Sequence, residues 1–226
     1  MAKVKICGIT NARDARMAIA AGADFLGLNF YKGSPRYVTA AAARRIVRAA
    51  PRSALWVGVF VNEKPTRVAE VARLVGLSEV QLHGDEAADA IAALRRAVPV
   101  IKAIRVRGRL GASELKKFVR ADALLLDGFD KLARGGTGKT FDWKIARRVG
   151  AKRRIFVAGG LNAENVAEAI RVARPYAVDV CSGVESASPR KKDVKKIAAL
   201  MAAVRVANAT NSLRARSSLN KRSKRR

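Results

Sequence analysis

Lys5-Ile6-Cys7-Gly8 closes the apolar run Val4–Cys7 and leads into a helical pattern over Asn11–Ala21, which makes it a strand-to-helix junction. An open, doubly wound sheet needs a phosphate-binding glycine motif at this first junction. Gly8 alone does not supply one. The other way to organise alternating strands and helices is a sheet closed on itself, which removes both edges. Working outward, strand-like runs recur at Phe25–Asn29, Leu55–Val61, Glu79–Leu82, Val100–Ile104, Ala123–Asp127, Ile155–Ala158 and Ala177–Val180. Most are short and largely apolar, as expected of parallel strands buried on both faces. Amphipathic stretches follow each: 11–21, 39–50, 65–75, 86–97, 112–118, 141–149, 162–173 and 193–206. Thr39 and Asn162 suit N-caps, Pro65 a first-turn position, and Gly22 and Gly76 helix ends. Eight strand–helix units in 226 residues predict an α/β fold, a (β/α)₈ TIM barrel at the short end of its size range, over residues 1–206.

The composition bounds the function. Two distant cysteines do not make a disulfide framework, and a single histidine nearly excludes a multi-histidine metal site. No apolar run approaches transmembrane length, and Met1-Ala2-Lys3 leads straight into a strand, so a soluble, cytoplasmic protein without membrane association is expected. The net charge is +28. Residues 207–226 hold seven Lys/Arg and no acid, and subtracting those seven leaves +21 on the rest. This Asn/Ser/Arg-rich tail lacks an apolar period and is expected to be disordered, with non-specific polyanion binding as its functional reading and a solvated surface as the plainer one.

A barrel carries its active site at the carboxyl ends of its strands. Those ends read Cys7, Asn29, Asn62, His83, Arg105, Asp127, Gly159-Gly160 and Ser182-Gly183. Cys7, at a strand end beside a glycine and near cations, is placed to become a thiolate. Asp127 ends an apolar run, so it is either neutralised by a partner or held protonated, and a held proton suits a general acid. Strands one and six let the two face each other across the mouth. Gln81 and His83 close strand four. Arg36, in the loop stiffened by Pro35, offers a planar fork to a carboxylate. Gly159 and Gly160 after strand seven and Ser182 and Gly183 after strand eight occupy the usual phosphate position of this fold. Gly135, Gly136 and Gly138 sit in GGTGKT, which lacks P-loop spacing and suits a hinged lid. Cys7 and Cys181 end strands that are neighbours in a closed barrel, and Cys181 shares its parity with Asp179. The two thiols are therefore expected to meet; the plainer alternative is that they never do.

Taken together, Lys5-Ile6-Cys7-Gly8, Ser34–Val38 (SPRYV), Val80–Gly84 (VQLHG), Leu125-Leu126-Asp127, Gly135–Trp143 (GGTGKTFDW), Ala158–Val166 (AGGLNAENV) and Asp179–Glu185 (DVCSGVE) resemble, in order, the phosphoribosylanthranilate isomerases of tryptophan biosynthesis. The resemblance covers residues 3 to about 200 and leaves the tail outside. It implies an Amadori rearrangement of a phosphosugar, with no cofactor or metal, by a monomer or homodimer. It implies Cys7 as general base and Asp127 as general acid. Arg36 would hold the anthranilate carboxylate, and Gln81, His83 and Asp179 would bind substrate. The two glycine loops would bind the phosphate. Cys181 stands where such proteins usually have serine, and Arg190 where they usually have glycine. A histidine-pathway isomerase would have aspartate in place of Cys7, and indole-glycerol-phosphate synthase relies on lysine and glutamate. A nucleic-acid-binding protein on a retired barrel, suggested by the charge, would not need an intact acid and base.

Overall fold

A computed structural model of the chain describes residues 1–223 apart from 52, 107, 109, 112–114, 129–140 and 152, with side chains through residue 213. The strands are β1 Lys3–Ile6, β2 Phe25–Asn29, β3 Leu55–Phe60, β4 Glu79–Leu82, β5 Val100–Val106, β6 Ala123–Gly128, β7 Ile155–Ala158 and β8 Ala177–Val180. Each pairs in parallel with the next, and β8 closes on β1 with Lys5 opposite Asp179 and Ile6 opposite Val180. The expected barrel is what forms, and four of its strands have the bounds read from sequence.

Around it lie α1 Ala12–Ala21, α2 Ala40–Arg48, α3 Pro65–Val75, α4 Ala88–Leu94, α5 Trp143–Gly150, α6 Val166–Ala173 and α7 Val194–Ser223. Thr39 caps α2 through a hydrogen bond from the Ala42 amide, Pro65 opens α3, and Gly22 and Gly76 end their helices in the left-handed region. Asn162 does not cap α6 directly. Its Oδ1 accepts from the amides of Glu164 and Asn165, closing a turn ahead of the helix, whose cap position is Asn165. The fourth helix is shorter than expected because Glu86 turns into the core to meet Lys102. The helix expected over 112–118 and the loop carrying Gly135, Gly136 and Gly138 fall wholly or partly outside the described residues.

Side chains alternate along a strand, so one parity fills the barrel and the other packs on the helices. Phe25, Val57, Ile101, Ala123, Leu125, Phe156 and Ala177 form the inner core, with Phe25 edge-on to Phe156 at 5.4 Å between ring centres. The outer core joins the opposite faces of the strands to the helices. Among the described residues no helix is long and apolar enough to cross a membrane.

The end of the chain differs from the sequence expectation. No irregular tail begins at 207; the helix α7 continues to Ser223. A helix is costly to start and inexpensive to extend, so a segment with no apolar period can continue one already nucleated by docked residues. The first two residues of the expected tail are themselves docked. Ala207 is buried, and Asn208 clasps Ala2, accepting from its amide at 2.7 Å and donating to its carbonyl at 3.0 Å. Asn208→Ala should therefore cost about 1–2 kcal/mol and lower Tm by roughly 2–6 °C in thermal unfolding. Truncation before 207, neutral on the sequence reading, should destabilise at least as much. An unchanged Tm in both would show that the clasp contributes nothing.

Candidate active site

The inward parity builds the mouth. Lys5 faces the barrel interior, so Cys7, two residues on, faces it at the rim; Gln81 leads to His83, Leu125 to Asp127, and Asp179 to Cys181. A Cβ added to Gly27 on β2 would lie 2.6 Å from Cys7 Sγ, so the missing side chain is what leaves the thiol its space.

Beneath Cys7 lies a buried ion pair. Lys5, wholly inaccessible, donates Nζ to both oxygens of Asp179 at 2.9 Å. Burial pushes the Asp179 carboxyl up to about 6, against the pull of the Lys5 ammonium. For Lys5 burial opposes the charge, but Asp179 and then Cys7 outweigh it and hold the ammonium above its usual range.

Cys7 and Cys181 follow the paired ends of β1 and β8 and shift each other's titration. The neighbouring Cys181 thiol chiefly draws the Cys7 thiol well below its usual range; burial opposes this, and Lys5 and Lys192 reinforce it. The same pairing with Cys7, and then burial, pushes Cys181 up, so Cys181 is the thiol that keeps its proton. Cys181 Sγ donates to Glu185 Oε1 at 3.6 Å, an oxygen that also accepts from Arg36 Nε at 2.6 Å and Lys192 Nζ at 2.9 Å. Cys181→Ala removes this neighbouring thiol and should raise the Cys7 titration. Less thiolate would then be present at neutral pH, so turnover should fall there and recover on the alkaline side. A pH profile of kcat/KM superimposable on the wild-type one would show that Cys181 does not tune Cys7.

Arg36 lies against the same corner, where a Cβ on Gly8 would be 2.5 Å from its Cδ. Its fork is not open as the sequence suggested. Nε and Nη2 donate to the two Glu185 oxygens at 2.6 Å each, and this pairing chiefly raises the guanidinium above its usual range. Glu185 stays ionised despite burial because Arg36 and Lys192 surround it. An incoming carboxylate has Nη1 to bind, or must displace Glu185.

On the opposite side, Asp127 Oδ2 lies 3.2 Å from His83 Nε2, and His83 Nδ1 lies 2.7 Å from Gln81 Nε2. Both His83 and Asp127 are about a quarter exposed, whereas Gln81 is 1% exposed and reaches the mouth only through His83. The loop after β4 is fastened from below: Lys102 donates to the Gly84 carbonyl and to Glu86, both at 2.7 Å, and Glu86 accepts from the amides of Asn62 and Gly84. A cavity of about 680 Å³ opens there, between His83, Lys102, Arg105 and Phe118.

The glycine loops come together. Gly159, at φ +91°, abuts β6: a Cβ on it would be 2.4 Å from the Gly128 amide nitrogen and 3.0 Å from Asp127 Oδ1. A Cβ on Gly183 would meet the Leu161 carbonyl at 2.0 Å. The loops after β7 (Gly159, Gly160) and β8 (Ser182, Gly183) are therefore in contact, beside Asp127.

Sequence reading missed Lys5, Glu185 and Lys192. Lys5 was legible: a lysine two residues before Cys7 in a buried strand must share its face and find an anion. The acid in DVCSGVE and the lysine seven residues later carried no such periodic sign.

Such a mouth can move protons: an acidified thiol faces a carboxyl bonded to an imidazole, beside backbone loops free of side chains. Fold and site together define a (β/α)₈-barrel enzyme of the acid–base type. Comparison with known proteins narrows the class. Residues 4–203 match the family model described as N-(5'phosphoribosyl)anthranilate (PRA) isomerase. The N-(5'-phosphoribosyl)anthranilate isomerase of Pelobacter propionicus is 48% identical over 212 residues, covering 94% of this chain and 98% of its own. That of Trichlorobacter lovleyi is 49% identical, covering 87% and 95%. Among solved structures, the Thermus thermophilus isomerase is 38% identical with a TM-score of 0.81, covering 90% of this chain and 98% of its own. Another, bound to reduced 1-(o-carboxyphenylamino)-1-deoxyribulose 5-phosphate, is 40% identical with a TM-score of 0.77, covering 89% and 97%. The chain belongs to the N-(5'-phosphoribosyl)anthranilate isomerase family.

Proposed function

We propose that Cys7 is the general base and Asp127 the general acid of this chain's reaction. The activity is that of the family: the chain converts N-(5-phosphoribosyl)anthranilate to 1-(2-carboxyphenylamino)-1-deoxyribulose 5-phosphate, an aldose–ketose isomerisation in tryptophan biosynthesis. The observation that carries the assignment of roles is the acidified Cys7 thiol, held by Cys181 and Lys5, on the strand across the mouth from Asp127.

The steps follow from these groups. Asp127 donates a proton to the furanose ring oxygen, and the C1′–O bond opens to a Schiff base. The Cys7 thiolate removes the C2′ proton, and the electrons flow to the iminium nitrogen. The resulting enolamine tautomerises to the ketone. The substrate nitrogen is the electron sink, so the scheme calls for no cofactor or metal. Each proton transfer contributes ~10²–10⁴-fold, with the rest left to positioning and electrostatics. Lys5 keeps anionic charge on Cys7 tolerable, and Asp179 keeps Lys5 in place.

In this reading Arg36 takes the anthranilate carboxylate, His83 lines the substrate, Gln81 acts behind His83, and Asp179, buried with both oxygens on Lys5, acts beneath Cys7 rather than on the substrate. Gly159, Gly160, Ser182 and Gly183 take the phosphate, and the loop of Gly135, Gly136 and Gly138 covers the mouth. Arg36→Lys should raise KM roughly 10-fold or more, since a point charge reproduces neither the bidentate grip on a carboxylate nor the pairing with Glu185. An unchanged KM would remove Arg36 from substrate binding.

All the site residues named come from one chain, so monomer and homodimer are both compatible with a complete site. One solved relative, 39% identical and from Thermotoga maritima, is described as monomers of a dimeric isomerase. Activity in the cytoplasm suits a biosynthetic enzyme, and the seven basic residues of 207–226 offer a salt-sensitive, non-specific hold on polyanions. The test of function is loss of substrate fluorescence on adding purified protein. Decay no faster than in buffer would overturn the assignment.

A further inference from the structure

His83 is the chain's single histidine, and it stands in the middle of a line of three side chains. Behind it is Gln81, inside the barrel and 1% exposed. Among the described residues the Gln81 amide makes one side-chain hydrogen bond, between Nε2 and His83 Nδ1, and its buried Oε1 has no hydrogen-bond partner. Leaving a buried amide oxygen unpaired costs about 1–3 kcal/mol, which an apolar side chain of the same volume would avoid. Stability does not account for Gln81 at this place. Its one bond does.

That bond decides where the imidazole proton sits. Gln81 Nε2 can only donate, so His83 Nδ1 must accept, and a neutral ring then carries its proton on Nε2. Nε2 faces Asp127 Oδ2 at 3.2 Å and donates to it. With Oδ2 engaged as an acceptor, a proton on Asp127 belongs on the other oxygen. Oδ1 is the one beside Gly159, where a Cβ would come within 3.0 Å of it.

We propose that Gln81 is a positioning residue of the reaction: it holds His83 as the Nε2–H tautomer, so that His83 occupies Oδ2 of Asp127 and Oδ1 carries and delivers the acid's proton. This rests on Asp127 being the acid. With the opposite tautomer, Nε2 would be a lone pair facing Oδ2. A protonated Asp127 would then point its proton at the ring and away from substrate. The same two residues thus separate a productive acid from an idle one without touching the substrate atom that is protonated.

The single histidine makes the test direct. Protein labelled with ¹⁵N-histidine gives one set of long-range ¹H–¹⁵N correlations, followed upward in pH until the pattern of a neutral ring no longer changes. Wild-type protein should show Nδ1 as the lone-pair nitrogen and Nε2 as the protonated one. Gln81→Glu puts an acceptor where the donor was, so Nδ1 should become protonated. Its kcat should fall roughly 10–10²-fold, part of what a general acid contributes, with KM within a few-fold of wild type. Gln81→Met, with neither donor nor acceptor, should show a tautomer mixture and intermediate turnover. A wild-type spectrum with Nδ1 protonated overturns the proposal, and needs no variant to fold. Full turnover in Gln81→Glu with Nδ1 protonated overturns it too, as does an unmixed Nε2–H signature in Gln81→Met. Failure of the acid assignment itself reads out separately, as retained activity in Asp127→Asn with the wild-type tautomer unchanged.

Discussion

Cys7→Ser should lower kcat by ~10²–10⁴-fold, the full worth of a general base, while affinity for a product analogue stays within a few-fold. The space would still be filled, but a hydroxyl has almost no anionic fraction at neutral pH. The groups that acidify Cys7, namely Cys181, Lys5 and Lys192, are matched to a thiol whose ordinary titration lies near enough to neutrality to be drawn into use. On a serine they would have far too much to do. Steady-state kinetics checks this, with analogue binding measured in parallel. Turnover near the wild-type value would take the base role from Cys7.

Asp127→Asn should cost a comparable ~10²–10⁴-fold in kcat. The amide fits the site and can still accept from His83, but it has no labile proton for the ring oxygen. The fold should be unharmed, because Asp127 is partly exposed and its neighbours at the rim, His83 and the Gly159 loop, do not depend on its charge. If most of the activity survived, another group would have to be the acid, and His83, within hydrogen-bond reach of the same place, would be the first to examine.

The fold was legible because its signal is repetitive. Short apolar runs alternating with amphipathic stretches recur eight times, and the absence of a glycine motif at the first junction separated a barrel from an open sheet. The carboxyl ends of the strands then carried the reading from fold to site, and parity explains why they converge. Once Lys5, Gln81, Leu125 and Asp179 face inward, Cys7, His83, Asp127 and Cys181 have to converge on the mouth.

What stayed hidden were pairings between distant segments. Arg36 reads as a free fork at a stiff loop, yet it is bonded to Glu185, 149 residues away. Nothing local announces that partner. Glu86 reads as the start of a helix, but Lys102 draws it into the core. Asn208 reads as part of a polar tail, although it closes the barrel's amino end on Ala2. In each case a polar residue with unremarkable local surroundings is fixed by a partner far along the chain. Periodicity and propensity do not encode such contacts, and only closure of the barrel creates them.

The most direct measurement compares wild type, Cys7→Ser, Asp127→Asn and the double variant on N-(5-phosphoribosyl)anthranilate. Substrate fluorescence follows turnover, and binding of the reduced product analogue seen in a solved relative is titrated for each protein. With Cys7 and Asp127 as base and acid, only the wild-type protein turns over at an appreciable rate, while all four bind the analogue within a few-fold of one another. A variant that binds the analogue and still turns over near the wild-type rate would contradict the acid–base pair.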